Sequence, residues 1–353
     1  MVEQRIDQFT DAFDAWIEAR EGDIREAVSL TSERFHRQDV MHMLEHLRKR
    51  VTRDSLRSWV IASYHEGPQR DVLCMHAGNL PLVGFQDLIA VWLAGHRYQG
   101  KLSRKDPFLM DSLLRVLASR AGTERLEWST QLEDLTVRAS SHILFAGSEL
   151  TVPQLRSHLE EEGRADGGTQ WHIRTASFSV AWLKEASGHD YEDLAEAILR
   201  YDGSGCRSVK VVVSDVPLTA DYCGVTDAFE VWWSRYGTYR KPTGQTLFDR
   251  AVLHAVERPY LLLEHMLLEM EGELNGNPDR ILWLQGGQER VEALLGRYGG
   301  KIQSVYRSGH VSQTHVFEQE LEPLSRAQDP ELNWRPDGKD PLESLTIIEN
   351  HYQ

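Results

Sequence analysis

The chain has 353 residues, a formal net charge of −15 and a hydrophobic share of 41%. Because domains usually contain about 100–200 residues, this length predicts two domains with ordinary buried cores. The densest basic run, LRKRVTR at 47–53, is typical of a solvated helix face, so no nucleic-acid partner is predicted. No segment approaches the roughly 20 apolar residues that span a bilayer, so we expect no membrane span and a cytoplasmic protein.

The first predicted elements are helices over residues 1 to 65. Ile6, Phe9, Phe13 and Ile17 recur at spacings of three to four residues, which places them on one helix face. A continuous apolar face of this kind predicts that the segment packs against the rest of the fold.

From residue 70 onwards, short apolar runs alternate with helical patterns. Strands are predicted within 71–77, 98–103, 142–148, 179–184, 208–215, 281–285 and 301–306. Helices are predicted over 82–95, from Asp106-Pro107 onwards, and over 150–162, 190–201 and 245–272. This alternation indicates a mostly parallel sheet with helices on its faces. The C-terminal residues are rich in Pro and Asp and predict an irregular arm.

Three cysteines raise the question of a reactive thiol, since their spacing is not that of metal ligands and no metal site is predicted. Cys206 lies in the turn Gly203-Ser204-Gly205-Cys206-Arg207, between a predicted helix and a predicted strand. A Gly-rich turn can expose the sulfur, and an adjacent Arg favours the thiolate. Cys206 is therefore a candidate nucleophile, although a small buried residue at a tight turn would show the same local sequence. Cys74 and Cys223 are expected to be structural.

Several segments resemble the acyl-CoA reductases of the bacterial bioluminescence fatty-acid reductase type, which belong to the aldehyde dehydrogenase superfamily. They are HAGNLPLVG (76–84), GHR (95–97), KLSRKDPF (101–108), YDGSGCRSV (201–209), LSRAQDP (324–330) and DGKD (337–340). The first three match that family's AGN-x-P-L-x-G, GH and KxSxKDPF runs, the fourth resembles the segment around its acylated cysteine, and the last two resemble its C-terminal arm. The resemblance covers about residues 55–345, in the family's order.

The resemblance implies an α/β, aldehyde-dehydrogenase-like fold with an N-terminal helical segment. It places a Rossmann-like cofactor domain at 66–185, a catalytic α/β domain with the cysteine at 186–322, and an arm at 323–353, with a cleft between the two domains. The implied activity is the NADPH-dependent reduction of an acyl-CoA, or of an acyl-carrier thioester, to an aldehyde through an acyl-cysteine. A homo-oligomer that pairs through the cofactor domain is a candidate assembly.

The resemblance also implies roles for individual residues. Asn79 matches the side-chain amide that donates to the oxyanion, beside the backbone N–H of Cys206. Lys101, in a run with Ser103, matches the lysine that bonds the adenosine ribose. Arg104, followed by Lys105, stands where many superfamily members carry a Glu, and Arg accommodates the 2′-phosphate of NADPH. The cofactor-binding set is Lys101, Ser103, Arg104, Lys105, Gly147 and Ser148, the last two as a Gly-Ser turn that lets a helix N-terminus approach the cofactor.

Two departures from the superfamily keep other functions open. The stretch TASFSVAW at 175–182 carries neither the Glu nor the Gly pair of the hydrolytic members, and Asp202 stands where an apolar residue is expected. The alternatives are a cysteine acyltransferase or thioesterase without hydride transfer, and a catalytically weak relative that serves as a scaffold. His76 and His96 flank the motifs and are expected to be packing or hydrogen-bonding residues.

Overall fold

A computed structural model describes residues 1–18, 24–136, 139–274, 276–309, 315–316 and 319–346. The chain divides into two compact units, which are called unit 1 and unit 2 below. Unit 1 comprises Met1–Thr175 and Glu331–Gln353, and unit 2 comprises Ala176–Pro330. The functional domains assigned above to 66–185 and 186–322 stay predictions. None of the described helices combines the length and the apolar character that crossing a membrane requires.

Unit 1 begins with four helices, as the sequence predicts. They are α1 (Val2–Ile17), α2 (Ile24–Thr31), α3 (Arg37–Arg50) and α4 (Arg53–Ser63). Ile6, Phe9 and Phe13 are buried on the inner face of α1, and Ile17 packs against the same core. The apolar face predicted from their spacing is therefore confirmed.

The sheet of unit 1 has five parallel strands in the order β3-β2-β1-β4-β5. The strands are β1 (Asp71–Met75), β2 (Arg97–Lys101), β3 (Leu126–Ser129), β4 (His142–Ala146) and β5 (Gln170–Arg174). Their connections contain α5 (Phe85–Ala94), α6 (Phe108–Ala121) and α7 (Val152–Glu161). The strand order reverses between β1 and β4, as it does at the switch point of nucleotide-binding α/β folds. The edge strands β3 and β5 are mostly half-buried, so their sequences carry weak apolar signals.

Helix α5 is buried inside unit 1, with other elements packed against more than one of its sides. Nine of its ten residues are buried, and it lies between Gly84 and Gly95, which both adopt a left-handed conformation. A helix that is apolar on every side is covered on every side. Contacts with β1 and β2 cover one side of α5, and contacts with α1 cover another.

Unit 2 holds an eight-stranded sheet in the order β12-β13-β11-β6-β7-β10-β9-β8. The strands are β6 (Phe178–Leu183), β7 (Val209–Ser214), β8 (Tyr260–Leu263), β9 (Met266–Glu269), β10 (Arg280–Gln285), β11 (Ile302–Arg307), β12 (His315–Val316) and β13 (Gln319–Pro323). The helices are α8 (Gly188–Leu199), α9 (Leu218–Tyr236), α10 (Gly244–Ala255) and α11 (Gln288–Tyr298). Among the strands of unit 2 that the structure describes, β8 and β12, at the two edges, are the ones that pair antiparallel. The prediction of a mostly parallel sheet is confirmed.

The prediction of helical structure over 245–272 is wrong in its second half. Only α10 is helical there, and residues 260–269 form the antiparallel hairpin of β8 and β9. The turn of the hairpin is Glu264-His265, with Glu264 in a left-handed conformation. The run YLLLEHMLLEM is apolar apart from Glu264, His265 and Glu269, and it has no clear periodicity that separates a helix from a buried strand, so the sequence pattern did not decide between them.

The chain returns to unit 1 after residue 330 and ends its described part in a short helix, α12 (Pro341–Thr346), which contacts α5. The buried Asp340 precedes α12 and receives hydrogen bonds from Trp59 Nε1 at 3.0 Å and from Ser63 Oγ at 2.6 Å. It also accepts the backbone N–H of Leu342 at 2.8 Å. Asp340 thus joins the C-terminal arm to α4, although the sequence predicted only an irregular arm.

Replacing Asp340 should destabilise unit 1. Asp340→Ala leaves the indole N–H of Trp59 and the hydroxyl of Ser63 buried without their acceptor, which should lower the free energy of unfolding by about 2–4 kcal/mol. Urea unfolding followed by tryptophan fluorescence measures the change. The matched control is Asp54→Ala on the exposed face of α4, whose side chain is 94% exposed and should be nearly neutral. Equal stability of the two variants would contradict the anchoring role.

Candidate active site

Cys206 lies in the turn that joins α8 to β7, and its side chain is half-buried. Its backbone carbonyl accepts a hydrogen bond from Ser179 Oγ at 2.9 Å, and the backbone N–H of Ser179 donates to Ser208 O at 2.9 Å. Ser208 Oγ donates to Ser204 O at 2.7 Å. Strand β6 and the turn itself therefore fix the backbone on both sides of Cys206.

The backbone segment that precedes Cys206 adopts left-handed conformations. Tyr201, Asp202 and Gly203 have φ values of 57°, 55° and 65°, and Gly205 has a φ of 96°. Glycine adopts this conformation without steric cost and Asp tolerates it better than most residues, so the strain of this segment is greatest at Tyr201. Strained backbone of this kind often occurs at functional sites.

The position of Arg207 next to Cys206 predicts that it favours the thiolate. In the structure, Arg207 also has a second role. Its guanidinium is buried, donates to Glu322 Oε2 at 2.7 Å, and also donates to the carbonyls of Ala327 at 2.8 Å and Arg326 at 2.9 Å. Because Glu322 matches its charge, the Coulombic support that Arg207 gives to a Cys206 thiolate is reduced. Arg207 ties the cysteine turn to β13 and to the segment 324–327.

The other two cysteines have different surroundings. Cys74 is buried in β1, and burial raises the pKa of its thiol well above the ordinary value. The thiolate of Cys74 is therefore scarce at neutral pH, in keeping with its predicted place in the core. Cys223 is exposed on α9.

The residues predicted to bind cofactor all lie at the carboxyl edge of the unit 1 sheet. Lys101 is the last residue of β2, and Gly147-Ser148 follows the last residue of β4. Asn79 lies in the loop after β1, and the structure leaves its side chain exposed. Because the strands are parallel, these loops emerge side by side, on the two sides of the switch point between β1 and β4.

Two of these loops approach each other closely at Gly78. A Cβ atom built on Gly78 would lie 2.1 Å from Ser103 Oγ, so only glycine fits there without displacement. Ser103 Oγ in turn accepts the backbone N–H of Lys105 at 3.2 Å. The loop of Asn79 and the loop of Ser103 and Lys105 therefore form one packed surface.

The cations at this edge are held close together. Burial, and then the nearby Arg104, lower the pKa of Lys101, whereas Glu133 raises it. Arg104 is exposed and donates to the side chain of Gln131, and Lys105 is exposed beside it. Mutual repulsion between cations favours an anionic ligand that can lie between them.

The Gly-Ser turn forms a cap rather than the start of α7. Ser148 Oγ accepts the backbone N–H of Leu150, and a short 3₁₀ turn at 149–151 separates it from α7. The backbone N–H of Gly147 donates to Arg174 O at 3.1 Å. A Cβ atom on Gly147 would lie 2.5 Å from the ring of Phe145, which accounts for glycine at this position.

Two buried polar contacts support the same edge, of which the ion pair of Arg174 was not predicted from the sequence. Arg174, at the end of β5, forms a two-pronged ion pair with Asp87 in the first turn of α5, at 2.8 and 2.5 Å. His76 follows β1 and joins Val83 O at 3.0 Å to the Tyr98 hydroxyl at 2.7 Å. The expectation that His76 is a hydrogen-bonding residue is confirmed, and so is that for His96, which bonds Leu345 O. Within the described residues, no cluster of His, Cys, Asp or Glu is arranged to hold a metal ion.

Buried histidines should make the protein sensitive to acid. Burial lowers the pKa of His76 from 6.5 to about 4 and that of His142 to about 3. Between these values and 6.5, the unfolded chain binds more protons than the folded one, so stability rises with pH and is lost as pH falls from 6.5 towards 4. His76→Gln removes one group that only the unfolded chain protonates in this range. The slope of the unfolding free energy against pH should therefore fall by about 1.4 kcal/mol per pH unit. Urea unfolding at several pH values tests this, and exposed His189→Gln should leave the slope unchanged.

No model of a known protein family matches the sequence, and no curated protein is similar to it. Solved structures are similar in fold. Aldehyde dehydrogenase 21 from Physcomitrella patens, in complex with the reaction product succinate, superimposes with a TM-score of 0.63 at 11% identity, over 95% of this chain and 79% of that chain. An NAD-dependent benzaldehyde dehydrogenase from Corynebacterium glutamicum gives a TM-score of 0.61 at 13% identity, over 87% and 75%.

An indole-3-acetaldehyde dehydrogenase complexed with NAD⁺ also matches, with a TM-score of 0.61 at 11% identity, over 87% of this chain and 72% of that chain. Identities this low establish similarity of fold alone. The chain therefore has an aldehyde-dehydrogenase-like fold, with a Rossmann-like parallel sheet in unit 1 and a second α/β sheet in unit 2.

Proposed function

We propose that this protein is an NADPH-dependent acyl-thioester reductase that converts an acyl-CoA, or an acyl-carrier thioester, to an aldehyde. The observation that carries the proposal is the position of Cys206, on a strained turn whose backbone is fixed by Ser179 and Ser208. The fold supports it, because similar structures include dehydrogenases that act on aldehydes. The motif resemblance to the acyl-CoA reductases supplies the direction of the reaction and the thioester substrate.

In the proposed reaction, the Cys206 thiolate attacks the carbonyl carbon of the thioester. A new carbon–sulfur bond forms, the bond to the CoA sulfur breaks, and CoA leaves as a thiolate that takes up a proton. NADPH, when bound, supplies the hydride that reduces the acyl carbon. The resulting thiohemiacetal on Cys206 collapses, releases the aldehyde and regenerates the Cys206 thiolate. A thiolate suits both the attack on the thioester and the final release of the aldehyde, since it is a strong nucleophile and an adequate leaving group.

Each half of the reaction passes through an oxyanion, which needs hydrogen-bond donors. We assign this role to the side-chain amide of Asn79 and to the backbone N–H of Cys206. The exposed amide of Asn79 has no hydrogen-bond partner within the described part of unit 1, so its donors are available to a ligand. The rigid packing of its loop at Gly78 limits the movement of the donor.

The carboxyl edge of the unit 1 sheet fits a dinucleotide. The switch point between β1 and β4 is where open α/β sheets bind such cofactors, and Gly78 and Gly147 keep the loops beside it small. We propose that Lys101 and Ser103 bind the adenosine ribose and that Arg104 and Lys105 bind the 2′-phosphate. Gly147 and Ser148 would contact the cofactor where it crosses the edge.

A reductase must also protect the acyl-enzyme from water. Hydrolysis needs a positioned general base, worth about 10²–10⁴-fold in rate, and TASFS at 175–179 has no carboxylate. Asp337 contacts this stretch, since its carboxylate accepts the backbone N–H of Thr175 at 2.7 Å. Asp337 is therefore the residue to replace if hydrolysis is observed.

The nucleophile can be identified by trapping the acyl-enzyme. Incubation with an acyl-CoA but no NADPH should leave the acyl group on Cys206, and it should persist for minutes because no base activates water. Cys206→Ala should abolish both the adduct and aldehyde formation, whereas Cys74→Ala and Cys223→Ala should keep the adduct. Peptide mapping by mass spectrometry measures its position.

An adduct on another cysteine would overturn the assignment of Cys206. Rapid release of free fatty acid in a buffer chase would favour the thioesterase alternative, and loss of that release in Asp337→Asn would identify the base. Formation of a stable adduct that NADPH does not discharge would favour the acyltransferase alternative.

The cofactor assignment predicts a preference for NADPH over NADH. A charge-assisted contact between Arg104 and the phosphate should favour NADPH by about 10–100-fold in kcat/KM. Arg104→Glu should reduce or reverse this preference, whereas Arg250→Glu, at an exposed position of α10 in unit 2, should leave it unchanged. Cofactor titration by fluorescence and steady-state rates measure both. Equal use of the two cofactors by the wild type would show that Arg104 does not contact the 2′-phosphate.

A further inference from the structure

The strained turn before Cys206 requires something to hold it. Tyr201 and Asp202 are consecutive non-glycine residues in the left-handed region, with φ values of 57° and 55°. An isolated segment would relax to a less strained conformation, so the surrounding unit must supply the restraint. Part of it comes from Arg200, whose guanidinium lies 4.6 Å from the ring centroid of Trp232 and 5.0 Å from that of Tyr236.

Arg240 faces the turn from the connection between α9 and α10. Its Nη1 atom lies 3.8 Å from Asp202 Oδ1, and its Nη2 atom forms an ion pair with the buried Asp279. Burial raises the pKa of Asp279, and Arg240 opposes this shift, so the two are bound to each other in the folded protein. Arg240 is therefore anchored to Asp279 through one guanidinium nitrogen and lies within ion-pair distance of Asp202 through the other.

Lys210 lies directly beneath the same turn. Its Nζ atom donates to Pro278 O at 2.7 Å, and a Cβ atom on Gly203 would come within 2.8 Å of it. Burial lowers the pKa of Lys210 to about 8. Asp202, Arg240, Asp279 and Lys210 thus form a charge cluster of two acids and two bases at the turn Tyr201–Gly203.

We propose that Arg240 and Asp202 are positioning residues, which hold the left-handed turn so that Cys206 meets its electrophile in one fixed geometry. The role of Cys206 as nucleophile rests on the proposed function, but its restraint by the cluster does not. This role also accounts for the charged side chain of Asp202, at a position where the family resemblance predicts an apolar residue. Neither residue is assigned any contact with the thioester.

The test compares variants that change the pair while sparing the turn. Asp202→Asn retains a residue that tolerates the left-handed conformation but removes the charge. Arg240→Met removes the guanidinium, whereas Arg240→Lys keeps a cation and serves as the conservative rescue. Arg235→Met, on the exposed surface of α9, is the matched control. Circular dichroism and thermal unfolding establish that each variant is folded.

The first measurement is alkylation by iodoacetamide, with the exposed Cys223 as an internal reference in the same molecule. Peptide mass spectrometry gives the ratio of the Cys206 rate to the Cys223 rate. We expect Asp202→Asn and Arg240→Met to move this ratio towards one by about threefold or more, because Cys206 then behaves as an ordinary thiol. Arg240→Lys and Arg235→Met should keep the wild-type ratio. A ratio that is unchanged in Asp202→Asn overturns the proposal, even if Arg240→Met does not fold.

The second measurement is the single-turnover rate of Cys206 acylation by an acyl-CoA. Loss of positioning should lower the limiting rate by about three- to tenfold while the half-saturating concentration stays the same, and Arg240→Lys should restore most of the rate. Absence of acylation in the wild type would refute the proposed function while the alkylation ratio still decides the role of the cluster. A change in the half-saturating concentration alone would show a binding role and overturn the proposal.

Discussion

All five strands of unit 1 run in one direction, and the candidate cofactor site depends on this constraint. In a parallel sheet every connection must cross a face and return, so every strand delivers its carboxyl end to the same edge. Asn79, Lys101 and Gly147 are therefore brought to one edge although the sequence separates them widely. Polar groups that are buried next to this edge also need partners. Arg174 and Asp87 provide them for each other by forming an ion pair.

Much of the fold could be predicted from the sequence because its central strands are short apolar runs between clear breaks. The helical N-terminal segment, α5 with its terminal Gly95, and the mostly parallel arrangement of the strands followed from periodicity and from glycine positions. The hairpin of β8 and β9 could not, because leucines on every side of a segment suit a buried helix and a buried strand equally. The edge strand β5 was also missed, since its residues are only partly buried.

The candidate site also contains some residues that the sequence predicted and others that it did not. The turn around Cys206 and the loop of Asn79 carry short motifs, which local sequence and family resemblance reveal. The restraint on Asp202 carries no such signal, because Arg240 and Asp279 lie far along the chain and meet it only in three dimensions. Ser179 likewise contacts Cys206 through β-strand register, which local sequence does not determine.

The return of the chain to unit 1 after residue 330 sets an order of events during synthesis. Unit 2 is encoded as one continuous stretch, between the two parts of the chain that form unit 1. Unit 1 receives Asp340 and α12 only after unit 2 has been made, so α4 and α5 wait for their last partners while roughly 250 further residues are added. At about 5–20 residues per second, this delay lasts on the order of ten seconds or more. During that interval, the indole N–H of Trp59 lacks its acceptor and the side of α5 that α12 covers stays open to solvent, so unit 1 reaches its full stability only after the arm has docked.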